Sequence, residues 1–232
     1  MQHKIEHGPA FSWLRVTLER GESIRAEAGA MVMRSTQVEM ETHLNAGYKP
    51  GIFQLMWAFL VALLRKLFGG ETMFLNDFST QAAQAEVVLA PALAGDILHK
   101  RMNAGQKLFV QAGGYLASSG SLNAQLRFGG LRTLFGGEGL VLLECTGEGD
   151  LFVNSYGGIT PVEVRGSLTV DTGHIVAFDG SLDFKVGSVG GLKSLFLSGE
   201  GLVCRFFGQG TVYVQSRNLE SLASWISPML PG

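Results

Sequence analysis

Three stretches of this chain repeat one another, and a repeat constrains a fold strongly because each copy must adopt the same structure. Residues 24–33 read IRAEAGAMVM, residues 108–117 LFVQAGGYLA and residues 168–177 LTVDTGHIVA. Each is an alternating run, a small residue, a glycine (Gly29, Gly113, Gly173) and a second apolar run. A second segment follows in the same order: LRKLFGGETMFL (64–75), LRTLFGGEGLVLL (131–143) and LKSLFLSGEGLV (192–203), sharing Glu71, Glu138 and Glu200. A third echo joins the last two copies, GEGDLFVNS (147–155) and GQGTVYVQS (208–216).

Inside each copy the hydrophobic period is two. Leu168 and Val170 face one way, Thr169 and Asp171 the other; Leu182, Phe184 and Val186 alternate in the same manner. This is the pattern of half-buried antiparallel strands. The 32 glycines fall largely between these runs, where they permit turns and bulges. The expected fold class is all-β: three small β-sandwich or barrel units in a pseudo-three-fold arrangement, over residues 1–93, 94–160 and 161–232. At the end of the chain Leu219, Leu222, Trp225 and Ile226 share a helical face and Pro228 closes the pattern. A short amphipathic helix is expected there, packed on the last unit or on a neighbouring subunit.

The first copy is irregular. Gly113 and Glu138 are 25 residues apart, Gly173 and Glu200 are 27, but Gly29 and Glu71 are 42. The extra residues include PGIFQLMWAFLVALLRKLFGG, in which 52–64 hold one polar residue, Gln54. Pro50 suits a first helical turn, Arg65 and Lys66 suit the negative C-terminal end, and Gly69–Gly70 stop it. The expectation is an inserted apolar helix near 51–66. At about 20 Å it is too short for a bilayer core of about 30 Å. Three readings stand for Ile52, Phe53, Leu55, Met56, Trp57, Phe59, Leu60, Arg65 and Lys66. They form a buried or subunit-interface helix, a helix lying in an anionic membrane surface, or a lid over an apolar pocket.

Composition narrows the function classes. Of 232 residues 46% are hydrophobic and only 16% charged, the pattern of a chain that hides surface in an oligomer or meets something apolar. The net charge is −2 and no run of Lys or Arg occurs, which argues against nucleic acid. Cys145 and Cys204 lie apart in apolar runs and read as buried hydrophobes. The first residues, MQHKIEHGPAFSWL, carry no secretory pattern, so a cytoplasmic location is expected, with a peripheral place at the inner membrane if the inserted helix meets lipid.

The segments AEAGAMVM, FGGETMFLNDFS and GGEGLVLLECTGEGDLFV resemble the altered-inheritance-of-mitochondria family over roughly residues 5–214. The resemblance implies a fold similar to the tryptophan RNA-binding attenuation protein, with small β-sandwich units that associate into rings. It implies inner-membrane organisation for mitochondrial relatives, and no catalytic residues to carry over. RNA binding does not transfer with a shared fold.

Candidate sites are few. His3 and His7 could hold a metal at helical spacing, but the alternation around them reads as a strand start and surface histidines. His43, His99 and His174 are scattered over different copies with no acid–base partner in the sequence. Glu71, Glu138 and Glu200 could converge on a pseudo-three-fold axis as a cation site; the plainer reading is that each carboxylate accepts from N–H groups of its adjacent glycine turn. GxxxxGK[ST], GxSxG and HExxH are absent and GEGLVLL opens a strand, so no cofactor and no catalysis are expected. The chain reads as a non-enzymatic scaffold or binding module that forms a ring-like homo-oligomer, a trimer by first expectation. The alternative is a small-molecule or catalytic pocket between units.

Overall fold

In chain order the strands are β1 (Gln2–Glu6), β2 (Trp13–Glu19), β3 (Ser23–Glu27), β4 (Met31–Arg34), β5 (Val38–Leu44), β6 (Phe74–Thr80), β7 (Gln84–Leu89), β8 (Ile97–Met102), β9 (Lys107–Gln111), β10 (Tyr115–Ser119), β11 (Asn123–Gly129), β12 (Leu140–Thr146), β13 (Gly149–Asn154), β14 (Ile159–Asp171), β15 (Ile175–Asp179), β16 (Asp183–Ser188) and β17 (Leu202–Gln215). They belong to a computed structural model that describes residues 1–44, 74–129, 140–188 and 202–229. The apolar segment 51–66 and the acids Glu71, Glu138 and Glu200 lie outside the described residues. Among the described residues no helix is long and apolar enough to cross a membrane.

The chain is mostly β, as the period-two pattern requires. The strands form a four-stranded sheet in the order β1-β2-β7-β4 and a six-stranded sheet β5-β6-β3-β10-β13-β8. A seven-stranded sheet runs β11-β12-β9-β15-β17-β14, with β16 also on β17. All named strand pairs are antiparallel, which leaves alternate residues inward and outward. Strand β2 shows the consequence: Leu14, Val16 and Leu18 are fully buried while Trp13, Arg15 and Thr17 are half-buried.

Strands β14 and β17 are long because they serve two sheet segments in succession. They pair from Ile159↔Gln215 to Asp171↔Val203, while the other side of β17 holds β16 near its start and β15 near its end. At the crossover Gly166 faces Gly208, with φ of 104° and 112°. Such backbone is open to glycine at little cost, so the ribbon changes direction there without breaking its ladder.

Among the described residues three apolar clusters are buried, two between sheets and one enclosed by strands of the seven-stranded sheet alone. The first joins Leu14, Val16 and Leu18 to Ile24, Phe78, Leu116 and Phe152, so it lies between the four- and six-stranded sheets. The second joins Met102, Tyr115 and Leu151 of the six-stranded sheet to Leu108, Leu143 and Tyr213 of the seven-stranded one. The third gathers Leu142, Phe178, Cys204, Phe206 and Val212, with Phe109 and Phe184 against it. Lys100 Nζ ties the last two sheets together, donating to Asp179 Oδ1 and Tyr213 Oη at 2.9 Å each.

The C-terminal helix α1 spans Leu219–Ile226. Asn218 caps it, its side-chain oxygen accepting from the N–H groups of Glu220 (2.8 Å) and Ser221 (3.4 Å). Pro228 follows in a 3-10 turn, Ser227–Met229. The amphipathic face is present, yet no residue of α1 is buried and Trp225 is 64% exposed.

Candidate functional site

In each of the three similar segments a strand leads through a turn into a second strand, but the first turns at Gly29, with a φ of 91°, where the other two form a 3-10 turn. The segments are β3–turn–β4, then β9–turn–β10, then the end of β14–turn–β15, with a one-turn 3-10 helix at Ala112–Gly114 and at Thr172–His174. The strand after each turn meets its next neighbour with one irregularity of register, between Met31 and Met33, Tyr115 and Ala117, and Ile175 and Ala177. The sequence repeat therefore reaches down to a single bulged residue: Val32, Leu116 and Val176.

The pairing between copies is where they differ. Strand β10, from the second copy, pairs β3 of the first through Ala117↔Ala26. Strand β15, from the third, pairs β9 of the second through Ala177↔Val110. By the same rule β4 of the first copy would pair the end of β14 in the third, Met33 opposite Val170. Among the described residues it does not: β4 ends the four-stranded sheet and β14 ends the seven-stranded one.

Among the described residues no strand pairs these edges, and apolar side chains at β4 are exposed. Met31, Val32 and Met33 are 39%, 49% and 45% exposed, where their counterparts Tyr115, Leu116, Ala117 and Ile175, Val176, Ala177 are at most 1% exposed. Across the expected partner strand, Leu168 and Val170 are half-buried, while Ile24, Ala26, Leu108 and Val110 are fully buried. The same sequence motif is thus core twice and surface once.

A second feature lies at the rim of the first sandwich. Phe152↔His99 and Asp150↔Arg101 are opposite pairs of β13 and β8, so all four side chains share the face that carries the buried Phe152. On β1, Met1 and Ile5 pack against the same core, which puts His3 between them on the inward side. His3 meets His99 with ring centroids 4.2 Å apart and meets the Phe152 edge at 4.9 Å; His99 stacks on Phe152 at 5.1 Å. His99 Nε2 is 2.8 Å from Asp150 Oδ1, and Arg101 Nη1 donates to Asp150 Oδ2 at 3.0 Å. Burial and the neighbouring His99 hold the His3 imidazole below the usual histidine pKa, with Asp150 opposing. The carboxyl of Asp150 is also lowered, against its own burial, by His99 and Arg101.

The other histidines do not join this cluster. His7, at φ 61°, turns its ring against Trp13 at 4.8 Å. His43 sits 3.6 Å from Glu41 and from Asp77, and His174 Nδ1 lies 2.8 Å from the carbonyl of Gln215. Sequence spacing pairs His3 with His7, whereas the fold pairs it with His99. The sequence signal for that meeting is the alternation that puts His3 on the same face of β1 as Ile5, beside the core. Cys145 and Cys204 are buried, which pushes both thiols up to about 12. Between α1 and the 3-10 turn at Thr172–His174 lies an open cleft of about 460 Å³ lined by Tyr156, His174, Arg217 and Trp225.

Packed antiparallel sheets and a short capped C-terminal helix define a mostly β protein. The chain belongs to the family described as mitochondrial biogenesis AIM24, whose profile matches residues 3–217. An uncharacterized protein of Streptococcus pyogenes serotype M6 is 31% identical over 235 residues, covering 100% of this chain and 92% of that one. The crystal structure of a Streptococcus pyogenes protein resembles this fold with a TM-score of 0.79 at 29% identity, over 99% of both chains.

Proposed function

We propose that this protein is a non-enzymatic scaffold whose three pseudo-equivalent units join head to tail with those of other copies into a closed ring, first of all a trimer. The observation that carries the reading is the pair of open, complementary half-sheets. One ends β1-β2-β7-β4 and the other ends β16-β17-β14. Joined through Met33 and Val170 of two copies, they make the arrangement that the six-stranded sheet already has, β8-β13-β10-β3-β6-β5. Joining supplies the missing cover for Met31, Val32 and Met33, and since each is already about half-buried, completing the burial favours association by about 1 kcal/mol each. A head-to-tail contact uses two different surfaces, so it closes into a ring when its rotation divides the circle.

The test is covalent. Chains carrying Met33→Cys and chains carrying Val170→Cys, mixed and oxidised, should form a disulfide between copies, because directly opposite residues bring their Cβ atoms within reach. Absence of that cross-link, with both variants folded, would contradict the interface. A second reading, attachment to an anionic membrane surface, rests on the apolar residues 52–64 followed by Arg65 and Lys66. Flotation with anionic liposomes that disappears on deleting 51–66 supports it, and an intact chain that stays in the soluble fraction removes it.

A further inference from the structure

We propose that His3, His99 and Asp150 form a binding site for one divalent first-row transition ion of the zinc type, at the rim where the four- and six-stranded sheets meet. The three offer one ligand atom each, two imidazole nitrogens and a carboxylate oxygen, all within 4.8 Å of one another. Tetrahedral zinc with bonds of about 2.0–2.1 Å sets its ligands roughly 3.3 Å apart, so closure needs a contraction of about 1 Å or more. The geometry permits it. His3 stands on edge strand β1 and is the most exposed of the three, so its side chain can turn, while His99 and Asp150 are fixed from several sides.

The supports of the fixed pair are those a metal site requires. His99 is stacked on Phe152. Asp150 Oδ2 is taken by Arg101, and Arg101 is held in turn by Glu148 at 3.9 Å. The N–H of Asp150 donates to Ser119 Oγ at 3.2 Å. Outer hydrogen bonds of this kind orient ligands and leave one oxygen, Oδ1, for the ion. His99 Nε2 now shares a proton with that oxygen, and an ion would replace the proton between them. Among the described residues neither nitrogen of His3 has a protein hydrogen-bond partner, although the ring is held against two others. Two nitrogens and one carboxylate suit zinc, cobalt or iron better than magnesium or calcium, and water completes the coordination.

The experiment titrates tag-free, chelator-treated full-length protein with Co²⁺, read by visible absorption, and then displaces it with Zn²⁺. The expected result is one ion per chain. Binding should weaken at least tenfold in His99→Phe, which keeps the ring stacked on Phe152 but has no nitrogen, and in Asp150→Asn. It should persist in His43→Phe. Thermal melts show which variants are folded, and Asp150→Asn, the closest in shape, decides the matter if His99→Phe is not. Failure to bind Co²⁺ or Zn²⁺ at millimolar concentration would overturn the proposal. So would binding unchanged in folded His99→Phe or Asp150→Asn, because the ion would then not be held by the group removed.

Discussion

Individual residues in this protein are set by what faces them across a sheet. Glu6 accepts from Trp13 Nε1 at 2.6 Å and from Arg15 Nε at 3.3 Å, with Lys4 Nζ at 3.1 Å. The Trp13 hydrogen bond first, then Lys4, holds its carboxyl down at about 2, from an ordinary 4.5. Between those values the unfolded chain binds the proton and the folded chain does not, so this contribution is complete above pH 4.5 and is lost as pH falls toward 2. Glu6→Gln should flatten the acid dependence of stability in that window, measured by denaturant midpoints across pH. The cysteines give a simpler expectation. With thiols raised to about 12 by burial, neither Cys145 nor Cys204 should react with a thiol reagent until the protein is unfolded. Labelling of either in the native state would show that its strand opens.

The elements show how far the sequence could be read. The strands of the second and third copies follow directly from the alternation at 108–117 and 168–177, and the helix from the face of Leu219, Leu222, Trp225 and Ile226 closed by Pro228. Two things were not legible. One was the length of β14 and β17, which run unbroken through glycines that elsewhere lie between strands, because Gly166 and Gly208 sit opposite each other within one ladder. The other was the meeting of His3 with His99, a contact between residues 96 apart in sequence that no local period encodes. Core packing is strongest around Phe178, fully buried with Phe206 at 4.9 Å, Phe184 at 5.0 Å and Phe109 at 5.2 Å. Phe178→Ala should cost about 3–5 kcal/mol in urea unfolding. At the helix, Asn218→Ala should lose about 1 kcal/mol from α1 by removing its cap.

At the scale of the whole molecule the account turns on an inequality between equivalent positions. Two copies of the strand–turn–strand motif bury the residues that the first copy exposes, and the two uncovered edges have the order of strands that would complete one another. An exposed edge is a template for pairing with another strand, which native proteins otherwise blunt or cover. Met31, Val32 and Met33 are apolar side chains left partly exposed at the end of the four-stranded sheet among the described residues. The most direct measurement is the native mass of the full-length protein at micromolar concentration, beside Met33→Glu, which puts a charge where the second sheet must pack. The account predicts a single species at three times the 24.9 kDa chain mass, reduced to the folded monomer by the substitution. A monodisperse monomer of the unaltered chain would contradict it.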